Sequence, residues 1–142
     1  MININGYCNF IFPSALLGGS YFISIHHRNA LETWSSTPIA LNTAMVSYDF
    51  TNTLSKAYGN NMTALGDGFF AIWSGDISDA ITGLGYQDGI IESRDYSDME
   101  NAIYLVLSGY RVEDITGDGI AESNDYSILE NNVYYVISVI RP

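Results

Sequence analysis

Glu113-Asp114-Ile115-Thr116-Gly117-Asp118-Gly119-Ile120-Ala121-Glu122-Ser123-Asn124-Asp125 is the stretch that decides how the chain is read. Counted from Asp114, side-chain oxygens fall at positions one, three, five, nine and twelve, and Gly119 sits at position six. That is the layout of a calcium loop. A hard cation takes six to eight oxygens, and alternate residues of a tight loop can point at one centre. The sharp turn at position six calls for glycine, which has no Cβ penalty there. The candidate ligands are Asp114, Thr116, Asp118, the backbone carbonyl of Ile120, Glu122 (directly or through a water) and Asp125.

The same pattern occurs a second time, 30 residues earlier. Asp88-Gly89-Ile90-Ile91-Glu92-Ser93-Arg94-Asp95-Tyr96-Ser97 overlays Asp118-Gly119-Ile120-Ala121-Glu122-Ser123-Asn124-Asp125-Tyr126-Ser127, and Glu100-Asn101 and Tyr104 overlay Glu130-Asn131 and Tyr134. This is an internal duplication of a loop and a following helix. Counting back from Asp88 without a gap gives Leu84 and Tyr86 at positions one and three, which are poor ligands. An insertion of about eight residues, spanning Ser78 to Tyr86, restores the pattern. Asp76 then takes position one, position three is Ser78, Asp79 or no side chain at all, and Asp88, the Ile90 carbonyl, Glu92 and Asp95 complete the set. Two calcium ions are therefore expected.

Charge follows the loops. The formal net charge is −11, which argues against a nucleic-acid partner. Glu32, Asp49 and Asp67 are the only acids up to Ser74, whereas thirteen lie from Asp76 onward. They cluster around glycine turns at set spacings, as cation ligands would.

The two halves also differ in periodicity. Up to about Phe70, Tyr7–Phe12, Ser20–Arg28, Ala44–Phe50 and Gly66–Trp73 read as short strands, punctuated by Pro13-Ser14 and Gly18-Gly19. The expectation is an antiparallel β-sandwich of Ig-like or prealbumin-like type over 1–74. Its first strand is either missing or paired with something else. Beyond Asp95, Met99, Ile103, Val106 and Leu107 form a helical stripe; beyond Asp125, Leu129, Val133, Val136 and Ile137 form another. The fold expected is thus α+β in two domains, with a duplicated calcium loop-helix unit over 75–142.

Other constellations are weak. Cys8 is the only cysteine, so no internal disulfide or zinc cluster forms, and its alternating apolar setting predicts a buried thiol. His26 and His27 are strand neighbours that point to opposite faces. Ser14, Ser20 and Ser24 lack a Gly-x-Ser-x-Gly context. Met1-Ile2-Asn3-Ile4-Asn5 has neither the basic start nor the apolar core of a leader, and no apolar run spans a membrane. Trp34 is a candidate carbohydrate-stacking ring, Trp73 a buried junction residue, and Tyr96 and Tyr126 candidates for packing between the helices.

Two acidic loops, each followed by one helix and each with Asp at position twelve, resemble the dockerin domain, a duplicated EF-hand-like module without entering helices. The likeness covers the last 67 residues or so. It implies two structural calcium ions and an extracellular or cell-surface setting. Dockerins read cohesin partners largely through positions ten and eleven; here these are Ser93-Arg94 and Ser123-Asn124, which depart from the usual hydroxyl pair. The whole chain, through His27-Arg28-Asn29-Ala30-Leu31-Glu32-Thr33-Trp34-Ser35, Tyr48-Asp49-Phe50, Tyr58-Gly59-Asn60-Asn61-Met62, Ser74-Gly75-Asp76 and Val139-Ile140-Arg141-Pro142, is similar to C-terminal regions of large secreted Bacteroidetes-type proteins.

The functional expectation is a non-catalytic extracellular module for protein–protein interaction or assembly. Its partner would be another protein or a further copy of itself, as in a fibre subunit. The alternative is a carbohydrate-binding module of a secreted glycan-degrading protein. Neither reading involves membrane insertion.

Overall fold

The computed structural model describes residues 6–43, 45–79 and 83–142. The lead-in Ile2–Asn5, Ala44 at the head of one expected strand, and Ala80, Ile81 and Thr82 within the insertion lie outside the described residues. Among the described residues the chain is a mixed α/β protein with two α-helices and short antiparallel strand pairs.

In the N-terminal half, β1 (Ser20–Tyr21) pairs with β4 (Ile39–Ala40), β2 (Ser24–His27) with β3 (Ala30–Trp34), and β5 (Thr63–Ala64) with β6 (Phe70–Ala71). The β2–β3 hairpin is the longest, with Ser24 opposite Trp34 and a register shift before His27 meets Ala30. β3 is the most buried of these strands, with Ala30, Leu31 and Thr33 all buried.

Several expected strands fall short. Residues 6–13 and 45–50 form no strand among the described residues, and only Phe70–Ala71 of the expected 66–73 segment does. Alternation needs a neighbouring strand and a covering layer to become sheet. Phe10, Ile11, Phe12 and Met45 have neither and stand exposed. Cys8, expected to be buried, is half-buried.

The C-terminal half follows the duplication closely. Helix α1 covers Ser93–Tyr104 and α2 covers Ser123–Val133. Each begins where an aspartate three residues in reaches back to free backbone N–H groups: Asp95 Oδ2 accepts from Glu92 N–H at 2.9 Å, and Asp125 Oδ2 from Glu122 N–H at 3.0 Å. Each is followed within three residues by a valine with left-handed backbone, Val106 at φ 51° and Val136 at φ 48°. The expected stripes are correct as far as Met99, Ile103, Leu129 and Val133. Val106 and Val136 fall beyond the helices and are exposed, because the chain turns before their side chains can face inward.

The helices pack on each other with Tyr96 and Tyr126 at the seam, ring centroids 4.9 Å apart. After α1, Ser108 bridges Ile120 of the second loop. After α2, β10 (Ile137–Ser138) pairs with β9 (Ile90–Ile91) of the first loop. Each loop is thus flanked by the segment that follows a helix. The fully buried core is Leu31, Ile77, Ile91, Met99 and Leu129, so one β3 side chain enters a core otherwise drawn from the C-terminal half.

The insertion in the first loop is a small antiparallel pair. β7 (Ser78–Asp79) pairs with β8 (Gly83–Leu84), and Gly85 N–H donates to the Ile77 carbonyl at 2.7 Å.

Candidate metal centre

The two loops share a hydrogen-bond frame at positions one, five and twelve; the bond from Gly117 N–H to Asp114 Oδ1 at 2.7 Å has no counterpart at Asp76 Oδ1 among the described residues. At position one, Asp114 Oδ2 accepts from Gly119 N–H at 3.1 Å, and Asp76 Oδ2 accepts from Gly89 N–H at 3.2 Å. At position twelve, Asp125 Oδ1 accepts from Thr116 N–H at 2.7 Å, and Asp95 Oδ1 accepts from Ser78 N–H at 2.9 Å. At position five, Asp118 and Asp88 each accept the N–H two residues on, from Ile120 at 3.0 Å and Ile90 at 2.9 Å. Gly119 and Gly89 have φ of 94° and 84°, the left-handed turn that position six requires. These bonds put Asp76 in the place of Asp114 and Ser78 in the place of Thr116. The chain between Ser78 and Gln87 is what interrupts the loop.

Burial differs by position. Asp76, Ser78 and Asp95 are buried in the first loop, and Asp114 and Asp125 in the second. Thr116, Asp118, Ile120 and Asp88 are exposed, while Glu92, Ile90 and Glu122 are half-buried. Burial pushes the Asp76 carboxyl up to about 7, and the nearby charges of Asp95 and Asp88 push the same way. Burial also raises Asp95, against the pull of N–H bonds from Glu92, Ile77 and Ser78.

Among the described residues, no group of three or more His, Cys, Asp or Glu side chains stands close enough to hold a metal ion as it is. The donor chemistry nonetheless fits a hard cation. It is all oxygen, and a carboxylate oxygen bonded to one N–H keeps a second lone pair. Asp76 Oδ1 is the clearest sign: it is a buried acceptor with no hydrogen-bond partner among the described residues, on a side chain that is 1% exposed. Asp76, Ser78, Asp88, Ile90, Glu92 and Asp95 would hold one ion, and Asp114, Thr116, Asp118, Ile120, Glu122 and Asp125 the other.

No protein-family model, no curated protein and no solved structure matches the chain.

Three residues that contact the loops had no loop role legible in the sequence. Gln87, at position four of the interrupted loop, donates to both the Ala30 and Asp76 carbonyls at 2.8 Å. Arg28 and Asn29, in the β2–β3 turn, both donate to the Asp114 carbonyl, at 2.8 and 2.9 Å. They lie 86 and 85 residues from Asp114, a separation that no local pattern could bridge.

A cavity of about 340 Å³ lies between β3 and the first loop, lined by His26, Glu32, Asp76, Tyr86, Gln87 and Arg141 among others. Ser24 Oγ lies 2.9 Å from His26 Nε2, and Glu32 Oε1 lies 3.7 Å from that same nitrogen. A nucleophilic triad needs its serine and its acid on opposite ring nitrogens, so this trio lacks that geometry. Glu32 is held instead by Arg141, which bonds its Oε2. Trp34 and Trp73 are both half-buried, the first edge-on to Phe22 at 6.4 Å and the second tilted against Tyr135 at 6.4 Å. Among the described residues, no helix is long and apolar enough to cross a membrane.

Proposed function

We propose that the chain is a non-catalytic, calcium-stabilised extracellular module: a β-rich unit (1–74, read as an incomplete sandwich) carrying a dockerin-like pair of calcium loops (75–142), used for protein–protein interaction or assembly. The observation that carries this reading is the matched bonding of the two loops, with the buried, unpartnered Asp76 Oδ1 at position one of the first. Carboxylates that repel one another gain from a bound cation, so calcium supplies folding free energy. The chain's own part is to hold the ligands in place. Asp95 and Asp125 tie each loop to the start of its helix, and Gly89 and Gly119 aim their N–H groups at the position-one aspartates.

Chelator should lower the melting temperature sharply, and Asp118→Ala should reproduce part of the drop in calcium. A melting temperature unchanged by calcium or chelator would end this reading. Exposed tyrosines at the helix ends, Tyr104 and Tyr134, support a contact surface on the helical side. Size measurement with and without calcium tests self-assembly, and a glycan array tests the carbohydrate alternative.

A further inference from the structure

Loops of this kind are ordinarily entered from a helix, which fixes the residue at position one. Neither loop here has one. Both are entered by non-helical chain, and both entering segments are bonded to the β2–β3 hairpin at or beside its Arg28-Asn29 turn. At the first loop, Leu31 N–H donates to the Trp73 carbonyl at 2.7 Å, Ala30 bridges Ser74, and Gly75 N–H donates to the Asn29 carbonyl at 2.8 Å. At the second loop, the Asn29 side chain donates to the Asp114 carbonyl at 2.9 Å, and Arg28 donates to the carbonyls of Arg111 and Asp114 at 2.9 and 2.8 Å. The Arg28 guanidinium also lies over the Tyr110 ring, 4.5 Å from its centroid, and 3.7 Å from Asp114 Oδ2. Asn29 is 2% exposed, so its bonds are shielded from competing water.

We infer that the Arg28-Asn29 turn of the β2–β3 hairpin replaces the missing entering helices, and that these two are positioning residues that preset Asp114 for the cation. This rests on the calcium reading above. A ligand held in place before binding does not have to be ordered at the moment of binding, so the brace raises affinity. Charge alone would act the other way: a guanidinium beside Asp114 repels an incoming cation. The brace and the charge can therefore be separated.

The test follows the Gly89 and Gly119 amide resonances of the full chain during calcium titration, since these N–H groups donate to Asp76 and Asp114. Asn29→Ala removes one neutral bond to Asp114 and keeps the backbone carbonyl that holds Gly75. Arg28→Lys keeps the charge and loses the two-carbonyl fork. In each variant the Gly119 midpoint should move to about fivefold higher calcium, the worth of one ordinary hydrogen bond, with a smaller shift at Gly89. Midpoints unchanged at Gly119 in both variants, or shifted equally at both glycines, would overturn the positioning role. If neither glycine responds to calcium in the unaltered chain, the calcium reading falls and this role falls with it.

Discussion

Asp76 concentrates the chemistry of the first loop in one side chain. Its carboxyl is raised to about 7, first by burial and then by Asp95 and Asp88. In metal-free protein the folded state therefore holds a proton that the unfolded chain releases near pH 4. Between those values the folded state binds more protons, so stability falls as pH rises, and the full penalty stands above pH 7 or so. Asp49 and Glu32 have lowered values, so the stability they add is already present above their ordinary range and does not oppose this slope. Melting temperature in chelator should thus decline from about pH 5 to about pH 7.5. Asp76→Asn should flatten the decline and raise the metal-free melting temperature at the upper end. Calcium should weaken the decline, because the cation competes with the proton for the same oxygens. A metal-free melting temperature that rises over this range would contradict the assignment.

At the scale of elements, the turn that follows each helix holds a valine in a conformation that usually belongs to glycine. The end of α1 is held by two bonds, Val106 N–H to the Ile103 carbonyl and Leu107 N–H to the Ala102 carbonyl, both 3.0 Å. A β-branched residue at positive φ is strained, by about 1–2 kcal/mol for the left-handed conformation. Val106 and Val136 are also exposed, so little packing would be lost on replacing them. Val106→Asn and Val136→Asn should each stabilise by about 1 kcal/mol, a rise of a few degrees in thermal unfolding. Loss of stability in both would show that the valines make contacts that outweigh the strain. These helices were legible in the sequence because their signals are local: position-twelve aspartates that also cap, and apolar residues at helical spacing. The strands were not. Tyr7–Phe12 alternates as a strand should, yet Phe10 and Phe12 on its expected inner face are exposed, because pairing depends on a distant neighbour that alternation does not specify. The loop contacts of Arg28, Asn29 and Gln87 were not legible for the same reason, since their partners are set by how the two halves meet.

At the scale of the whole molecule, the two halves share a core. Leu31 of β3 is fully buried with Ile77, Ile91, Met99 and Leu129. Leu31→Ala should cost about 2–5 kcal/mol. It should lower the melting of helical and β signals together, in one transition; two separate transitions, with only one displaced, would mean that the halves unfold independently. The tie also runs through polar contacts: Asn61 donates to the Ser138 carbonyl at 3.0 Å, and Asn132 to the Ser74 carbonyl at 2.7 Å. Within this joined structure the first loop tolerates an interruption that the second lacks. Ser78 pairs with Leu84, and Gly85 bonds back to Ile77, so the inserted chain leaves and returns at nearly the same place. A closed excursion of this kind adds length without spreading the ends that matter, and lengthening a loop is entropically cheap. The β7–β8 pair therefore marks a natural graft point, where a foreign epitope or an evolutionary novelty can be carried within the first loop while Ser78 and Gly85 on either side stay in register.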